Sequence, residues 1–140
     1  MKLDSRLIHL RIDVIERNLR EVKNILKLKR LTYRDELALK HALLECIEAC
    51  IDIANHIIAA NNFRRPQDYR DVFAVLEEEK IISKNLSSRL QEMAGFRNVL
   101  VHRYAHVDMK RVLKFAKEDT KDIENFVKRI LLLLQNSRKK

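Results

Sequence analysis

A concentration of reactive side chains lies between residues 97 and 104, where the sequence runs Arg-Asn-Val-Leu-Val-His-Arg-Tyr. It combines a permanent cation (Arg97), a carboxamide (Asn98), an imidazole (His102) and a phenol (Tyr104) with a short apolar run. A guanidinium can grip two oxygens of one phosphate, and an imidazole, which ordinarily titrates near pH 6.5, can move a proton near neutral pH. The segment therefore has the groups needed to hold a phosphate and move a proton beside it.

The faces on which these side chains lie depend on the geometry of a helix. At about 100° per residue, Asn98 and His102 lie about 40° apart, and Arg97 and Tyr104 about 20° apart. Arg97 and His102 are about 140° apart and do not share a face. The long arginine could still reach the histidine, or the two could meet across the two-fold axis of a dimer. For either residue alone, a structural role at a helix C-terminus is the competing explanation.

The composition predicts an all-α fold. The 140 residues include one glycine and one proline, so few tight turns are available. Apolar residues make up 46% and charged residues 35%, which is typical of a soluble globular protein of this length. We expect a single domain over residues 1–140.

Helical spacing of apolar residues predicts an up-and-down bundle of four or five helices. Ser, Thr and Asp residues at suitable positions predict where the helices begin. The tail, residues 136–140, is expected to fray. The predicted helices run from about Asp4 to Leu28, from a capping box at Thr32 and Asp35 to near Asn61 and Asn62, from Tyr69 to Glu79 after Asp68, from Ser83 through the 97–104 segment, and onward from Asp108.

The net charge of +9 is unevenly distributed. Residues 1–34 carry ten Lys and Arg against four Asp and Glu, residues 103–140 carry eleven against five, and the middle carries eight against eleven. Basic ends around a mildly acidic centre suit a polyanionic partner such as nucleic acid, although a solvated surface would look the same.

The cysteines and the apolar runs indicate where the protein resides. Cys46 and Cys50 lie four residues apart in a helical pattern, which suits buried thiols in a reducing compartment and not a disulfide. The N-terminus lacks the apolar run of a signal peptide, and the run from Ile130 to Leu134 is too short to span a bilayer. We expect a cytoplasmic protein without membrane association.

Three further features have more than one explanation. Gly95, in mid-helix, indicates either the close approach of a second helix or an incidental glycine. Asp52 and His56 could line a cleft or form a satisfied structural pair. His102, His106 and Asp108 could suggest a metal site, but a helix end is expected between the histidines, so no metal is predicted.

Arg97-x4-His102-x-Tyr104 resembles the Arg-x4-His-x-Tyr motif of HepT-like toxins in the HEPN superfamily. Residues 52–58, Pro66 with residues 69–73, and residues 93–104 also resemble that family, and the similarity covers about residues 5–130. It implies a helical bundle that dimerises through the motif-bearing helices, with metal-independent endoribonuclease activity at the interface. It also implies a partner, the nucleotidyltransferase antitoxin MntA, which transfers AMP onto the motif tyrosine, here Tyr104.

The expected function is the toxin of a type VII-like toxin–antitoxin pair that cleaves RNA by attack of the 2′-OH. His102 would act as general acid or base and Arg97 would stabilise the phosphate. Asn98 would orient His102, and AMP on Tyr104 would block the cleft. Neither a cofactor nor a metal is expected. The alternative is a HEPN module that binds nucleotide or nucleic acid without cleaving it and accompanies a nucleotidyltransferase.

Overall fold

The computed structural model describes residues 1–102 and 106–138, and all regular secondary structure in these ranges is helical. A π-helical segment, Phe115–Asp119, joins the last two helices. The predicted all-α bundle is confirmed. The helices are α1 (Ser5–Leu26), α2 (Tyr33–Ala60), α3 (Tyr69–Glu78), α4 (Lys84–His102), α5 (Met109–Lys114) and α6 (Thr120–Arg138).

The predicted helix starts are confirmed, because a side-chain oxygen caps each one. At the first turn of a helix the backbone N–H groups have no partner within the helix, and a capping oxygen accepts from one of them. The caps are Asp4 on the N–H of Leu7, Thr32 and Asp35 in a reciprocal capping box, Asp68 on the N–H of Asp71, Ser83 on the N–H of Leu86, and Asp108 on the N–H of Lys110.

The last helix differs from the prediction of one regular helix after Asp108. The backbone stays in the right-handed helical region across both junctions of the π segment, so α5 and α6 continue one another. Within the π segment Phe115 stacks on Phe96 of α4, with ring centroids 4.7 Å apart. α6 extends to Arg138, beyond the expected start of the tail, and residues 139 and 140 lie outside the described residues.

α1 is antiparallel to α2, and α3 is antiparallel to α4, as an up-and-down bundle requires. In each of these hairpins, as the residue number of a contact rises on the first helix, the number of its partner on the second helix falls. The pairs that show this are Arg11–Asp52 and Ile15–Cys46 between α1 and α2, and Tyr69–Arg97 and Phe73–Ser87 between α3 and α4.

One hydrophobic cluster includes residues from α1 to α6. Within it Phe73 and Phe126 meet edge to face, with ring centroids 5.9 Å apart, and both are fully buried. Cys46 and Cys50 are free and buried in this core, as predicted. Burial raises the pKa of the Cys46 thiol to about 12 and raises that of Cys50 as well, so both thiols stay neutral and unreactive.

Arg64 holds the connection between α2 and α3 in place. Its Nη1 pairs with Oδ2 of Asp71 at 2.7 Å and its Nη2 with Oε1 of Glu78 at 2.8 Å. Asp71 also accepts the backbone N–H of Gln67 at 2.9 Å. These bonds attach residues 64–67 to α3.

The ion pair between Arg64 and Asp71 predicts how stability depends on pH. The hydrogen bond from Arg64 lowers the pKa of Asp71 from 3.8 to about 2. Because the folded value is the lower one, the pair contributes stability above pH 3.8 and loses it as the pH falls through about 2. We expect the difference in unfolding free energy between wild type and Asp71→Asn to shrink across this range, measured by urea denaturation. If the unfolding free energies of the two proteins changed in parallel with pH, the stabilising role of the pair between Arg64 and Asp71 would be contradicted.

Candidate active site

Arg97 lies near the C-terminal end of α4 and points towards α2 and α3. Its Nε donates to Oε1 of Glu48 on α2 at 2.9 Å. Its guanidinium carbon lies 4.3 Å from the ring centroid of Tyr69, the first residue of α3. The side chain is 13% exposed. The carboxylate of Glu48 therefore holds one edge of the guanidinium, and the ring of Tyr69 covers one of its faces.

The guanidinium retains hydrogen-bonding capacity. Nη1 donates to Oδ1 of Asn98 at 3.2 Å, and a guanidinium has five N–H groups. The bonds to Glu48 and Asn98 use two of them, and the described residues leave three for a ligand. An arginine held in this way can grip a phosphate with little further loss of side-chain entropy.

Asn98 lies at the edge of a groove of about 440 Å³. The side-chain oxygen of Asn98 accepts from Arg97, and no hydrogen bond between described residues joins Asn98 to His102, so its role in orienting His102 stays a prediction. The described residues that line this groove are Asn55, Pro66, Gln67, Asp68, Tyr69, Arg70, Val72 and Asn98.

His102 is the last residue of α4, and its side chain is exposed. It is not among the described residues that line the groove, and no hydrogen bond within the described ranges joins it to Arg97. The two side chains thus keep the separate faces that helical geometry predicts. Tyr104, the predicted site of modification, lies outside the described residues.

Asp52 and His56 contact α1 and not each other. Oδ2 of Asp52 accepts from Nε of Arg11 at 3.1 Å, and Nε2 of His56 accepts the backbone N–H of Asp4 at 3.0 Å. Asp52 is exposed and His56 is half-buried. These bonds hold the start of α1 against the end of α2, and neither residue lines the groove beside Asn98.

Comparison with known proteins identifies the family of this chain. Residues 12–130 match the ribonuclease HepT-like family. The chain belongs to this family. The mRNA nuclease HepT of Shewanella oneidensis is 38% identical over 96 residues, which cover 69% of this chain and 71% of that protein. The similarity indicated by the motif of Arg97, His102 and Tyr104 is confirmed.

Solved structures share the HepT-like fold. The tri-AMPylated Shewanella oneidensis HEPN toxin, in complex with its MNT antitoxin, superposes with a TM-score of 0.84 and 28% identity over 93% of this chain and 99% of that chain. The cytosolic protein YutE of Bacillus subtilis superposes with a TM-score of 0.85 over 96% of this chain and 93% of that one. At 23% identity, YutE supports the fold alone.

Three residues of this HepT-like chain were not predicted as site residues: Glu48 and Tyr69, which contact Arg97, and Asn55, which lines the groove beside Asn98. Glu48 carries a charge between the buried residues Ile47 and Ala49, and a charge within an apolar stretch of helix needs a partner. That pattern could have identified Glu48 from the sequence. Tyr69 and Asn55 are exposed and follow no comparable pattern, so only the packing of α3 and α2 around α4 reveals them.

Gly95 leaves space for a side chain of the neighbouring helix. A Cβ at this position would collide with Nη2 of Arg70, whose guanidinium lies against the glycine. The sequence left open a closely approaching helix or an incidental glycine, and within the described residues the neighbour is the side chain of Arg70 on α3. Glycine in mid-helix costs about 1 kcal/mol relative to alanine. In return, the guanidinium of Arg70 can lie against the backbone of α4.

The described residues contain neither a cluster of three metal-binding side chains nor a helix that could span a membrane. Among residues 1–102 and 106–138, no three His, Cys, Asp or Glu side chains are grouped closely enough to hold a metal ion. None of the helices in these ranges is both long and apolar enough to span a bilayer.

Proposed function

We propose that this chain is a metal-independent endoribonuclease and the toxin of a toxin–antitoxin pair. The observation that supports this most directly is the state of Arg97, whose guanidinium is fixed by Glu48 and Tyr69 yet keeps N–H groups for a phosphate. It lies in a chain of a ribonuclease family, five residues before the exposed imidazole of His102.

The proposed reaction uses the nucleophile that RNA itself carries. The 2′ oxygen attacks the adjacent phosphorus, and the bond from phosphorus to the 5′ oxygen breaks. His102 takes the proton of the 2′-OH, and an imidazolium, supplied by the His102 of a second protomer, gives a proton to the departing 5′ oxygen. Arg97 donates two N–H groups to the non-bridging oxygens, whose negative charge increases in the transition state. The products are a 2′,3′-cyclic phosphate and a 5′-hydroxyl, and neither a metal nor a cofactor takes part.

The reaction favours a homodimer in which the motif-bearing helices meet. Within one chain Arg97 is held inward by α2 and α3, whereas His102 is exposed at the end of α4. A two-fold axis beside the end of α4 would bring the arginine and histidine of two protomers to one cleft. Such a cleft has two imidazoles, which is the number that the two proton transfers require.

The proposed partner is an MntA-like nucleotidyltransferase antitoxin, and both proteins would act in the cytoplasm. The Shewanella toxin with the same fold is AMPylated and bound to its MNT antitoxin. In this chain the acceptor would be the phenol of Tyr104, which attacks the α-phosphorus of ATP and displaces pyrophosphate. The attached AMP adds bulk and negative charge beside Arg97, and both exclude RNA.

Cleavage of a labelled RNA in the presence of EDTA tests the nuclease. We expect product in EDTA, a rate that changes where histidine side chains ordinarily titrate, and complete protection of a site whose 2′-OH is replaced by hydrogen. Binding of RNA without any product would favour the non-catalytic module instead.

Adenylylation of Tyr104 is tested by incubating the protein with its nucleotidyltransferase and ATP. We expect one or more adenylyl groups on Tyr104 by peptide mass spectrometry, and none on the Tyr104→Phe variant. Tyr33, which is 74% exposed, serves as an internal control for unspecific modification. Modification of Tyr33 or Tyr69 in place of Tyr104 would contradict the assignment.

A further inference from the structure

A second groove of about 450 Å³ adjoins the groove beside Asn98. The two share Asn55 and Pro66 as lining residues. Together they form one surface depression, which we call the flanking trough and which follows the connection between α2 and α3. The second groove is lined by Asn55, Ile58, Ala59, Phe63, Arg65 and Pro66.

The trough combines rings, cations and carboxamides. The first groove has Tyr69 and Arg70, and the second has Phe63 and Arg65. Single-stranded nucleic acid binds where bases stack on rings and cations follow the phosphates. Asn55, between the two grooves, offers a carboxamide that can pair with the edge of a base. Each groove has the volume typical of a site for a small ligand.

Two lining residues connect the trough to the proposed catalytic group. The ring of Tyr69 lies 4.3 Å from the guanidinium carbon of Arg97, and Oδ1 of Asn98 accepts from its Nη1 at 3.2 Å. A phosphate bound by Arg97 would therefore lie at one end of the first groove. The nucleotide attached to that phosphate would enter the groove directly.

The nearby carboxylates are already engaged. Asp68, in the first groove, accepts the N–H of Asp71 at 2.8 Å as the cap of α3. Asp71 and Glu78 are both paired with Arg64. The formal charges of Arg64, Arg65 and Arg70 balance those of Asp68, Asp71 and Glu78. The exposed guanidinium groups of Arg65 and Arg70 would therefore bind phosphates by direct contact and not through a net field.

We propose that the flanking trough binds two consecutive nucleotides of single-stranded RNA next to the scissile phosphate. The first base stacks on Tyr69 and meets the carboxamide of Asn55 or Asn98, and the second lies by Phe63 and Arg65. The position of the scissile phosphate rests on the proposed nuclease function, but binding in the trough does not require cleavage. Gly95 contributes by making room for the guanidinium of Arg70, which forms part of the first groove.

The test measures binding separately from cleavage. The probe is a short labelled single-stranded RNA in which fluorine replaces every 2′-hydroxyl, so that it cannot be cut by 2′-OH attack. We expect Asn55→Ala to weaken binding about 5- to 100-fold for the preferred base, and Arg65→Ala to lower the salt dependence by about 0.7 in log–log slope. Arg20→Ala, an exposed cation on α1, is the matched control and should bind with an unchanged affinity.

A second variant acts on the trough without removing any of its polar groups. Gly95→Ala displaces the guanidinium of Arg70 and favours the helix, so we expect weaker binding with a melting temperature no lower than that of wild type. Wild-type affinity in both Asn55→Ala and Gly95→Ala would overturn the trough, whether or not the protein cleaves RNA. Loss of binding in the variants, with no cleavage by wild type, would refute the nuclease and leave the trough standing.

Discussion

Replacing His102 with alanine is expected to lower the rate of RNA cleavage by about 100- to 10,000-fold, the usual contribution of a general acid or base. In the proposed mechanism the imidazole takes the proton of the 2′-OH, and in the proposed dimer the substitution would remove both imidazoles at once. Because His102 is exposed at the end of α4, its loss should change stability by no more than about 0.5 kcal/mol. Initial rates on a labelled RNA, together with thermal unfolding, give both quantities.

The control for His102 is His106, which is also exposed and follows the end of α4. His106→Ala should cleave at close to the wild-type rate if position 102 alone is catalytic. A His102→Ala protein with an undiminished rate, purified free of host nucleases, would refute the proposed mechanism. Equal losses in both variants would indicate that the substitutions act through the fold of residues 102–106 and not through one imidazole.

Replacing Arg97 with alanine is expected to lower the cleavage rate by about 100- to 1,000-fold, as loss of one preorganised group that stabilises an oxyanion does. This substitution differs from the first because Arg97 is 13% exposed and paired with Glu48. Its removal leaves the carboxylate of Glu48 without its partner, so some loss of stability is also expected. Rates must therefore be measured well below the melting temperature of the variant.

Two matched variants separate the charge of Arg97 from its placement. Arg97→Lys keeps the charge but loses the forked geometry, so we expect it to remain strongly impaired. Glu48→Gln keeps the guanidinium and a side chain that can accept from Nε, so its rate should fall less than that of Arg97→Ala. A wild-type rate in Arg97→Ala would contradict the proposed role. A fully active Arg97→Lys would mean that a point charge is sufficient.

The chemistry of Arg97 and His102 also bears on regulation. Both residues would act on one phosphate, so a single anionic group placed beside them can occupy the same cleft. In the proposed function, AMP on Tyr104 would supply such a group and would compete with the phosphate of RNA. The proposed modification would thus inhibit by competition and not by unfolding, and an adenylylated chain should retain the wild-type melting temperature.

Local chemistry made the helices predictable. Asp4, the capping box of Thr32 and Asp35, Asp68, Ser83 and Asp108 each bond to N–H groups within a few residues, so their role can be inferred from neighbouring sequence. The π segment at 115–119 could not be inferred in this way. A regular helix was predicted because the buried residues Phe115, Ile123, Phe126 and Ile130 follow one another at helical spacings of eight, three and four.

The motif was recognisable because its residues lie within one short stretch, where spacing alone relates Arg97, His102 and Tyr104. What surrounds it was decided by packing. Glu48, 49 residues before Arg97, meets it only because α2 lies against α4, and Tyr69 only because α3 runs antiparallel to α4. The hydrogen bond between Asn98 and Arg97 was also not predicted, because it depends on where Glu48 and Tyr69 hold the guanidinium.

The sequence by itself determined the helical fold, the helix starts, the buried cysteines and the family, since each depends on residue type and short-range spacing. Tertiary structure alone decided which side chains hold Arg97, which side chain lies against Gly95, and where a groove lies beside Asn98. The physical reason is that these contacts join residues far apart in the chain, and their geometry exists only once the helices have packed.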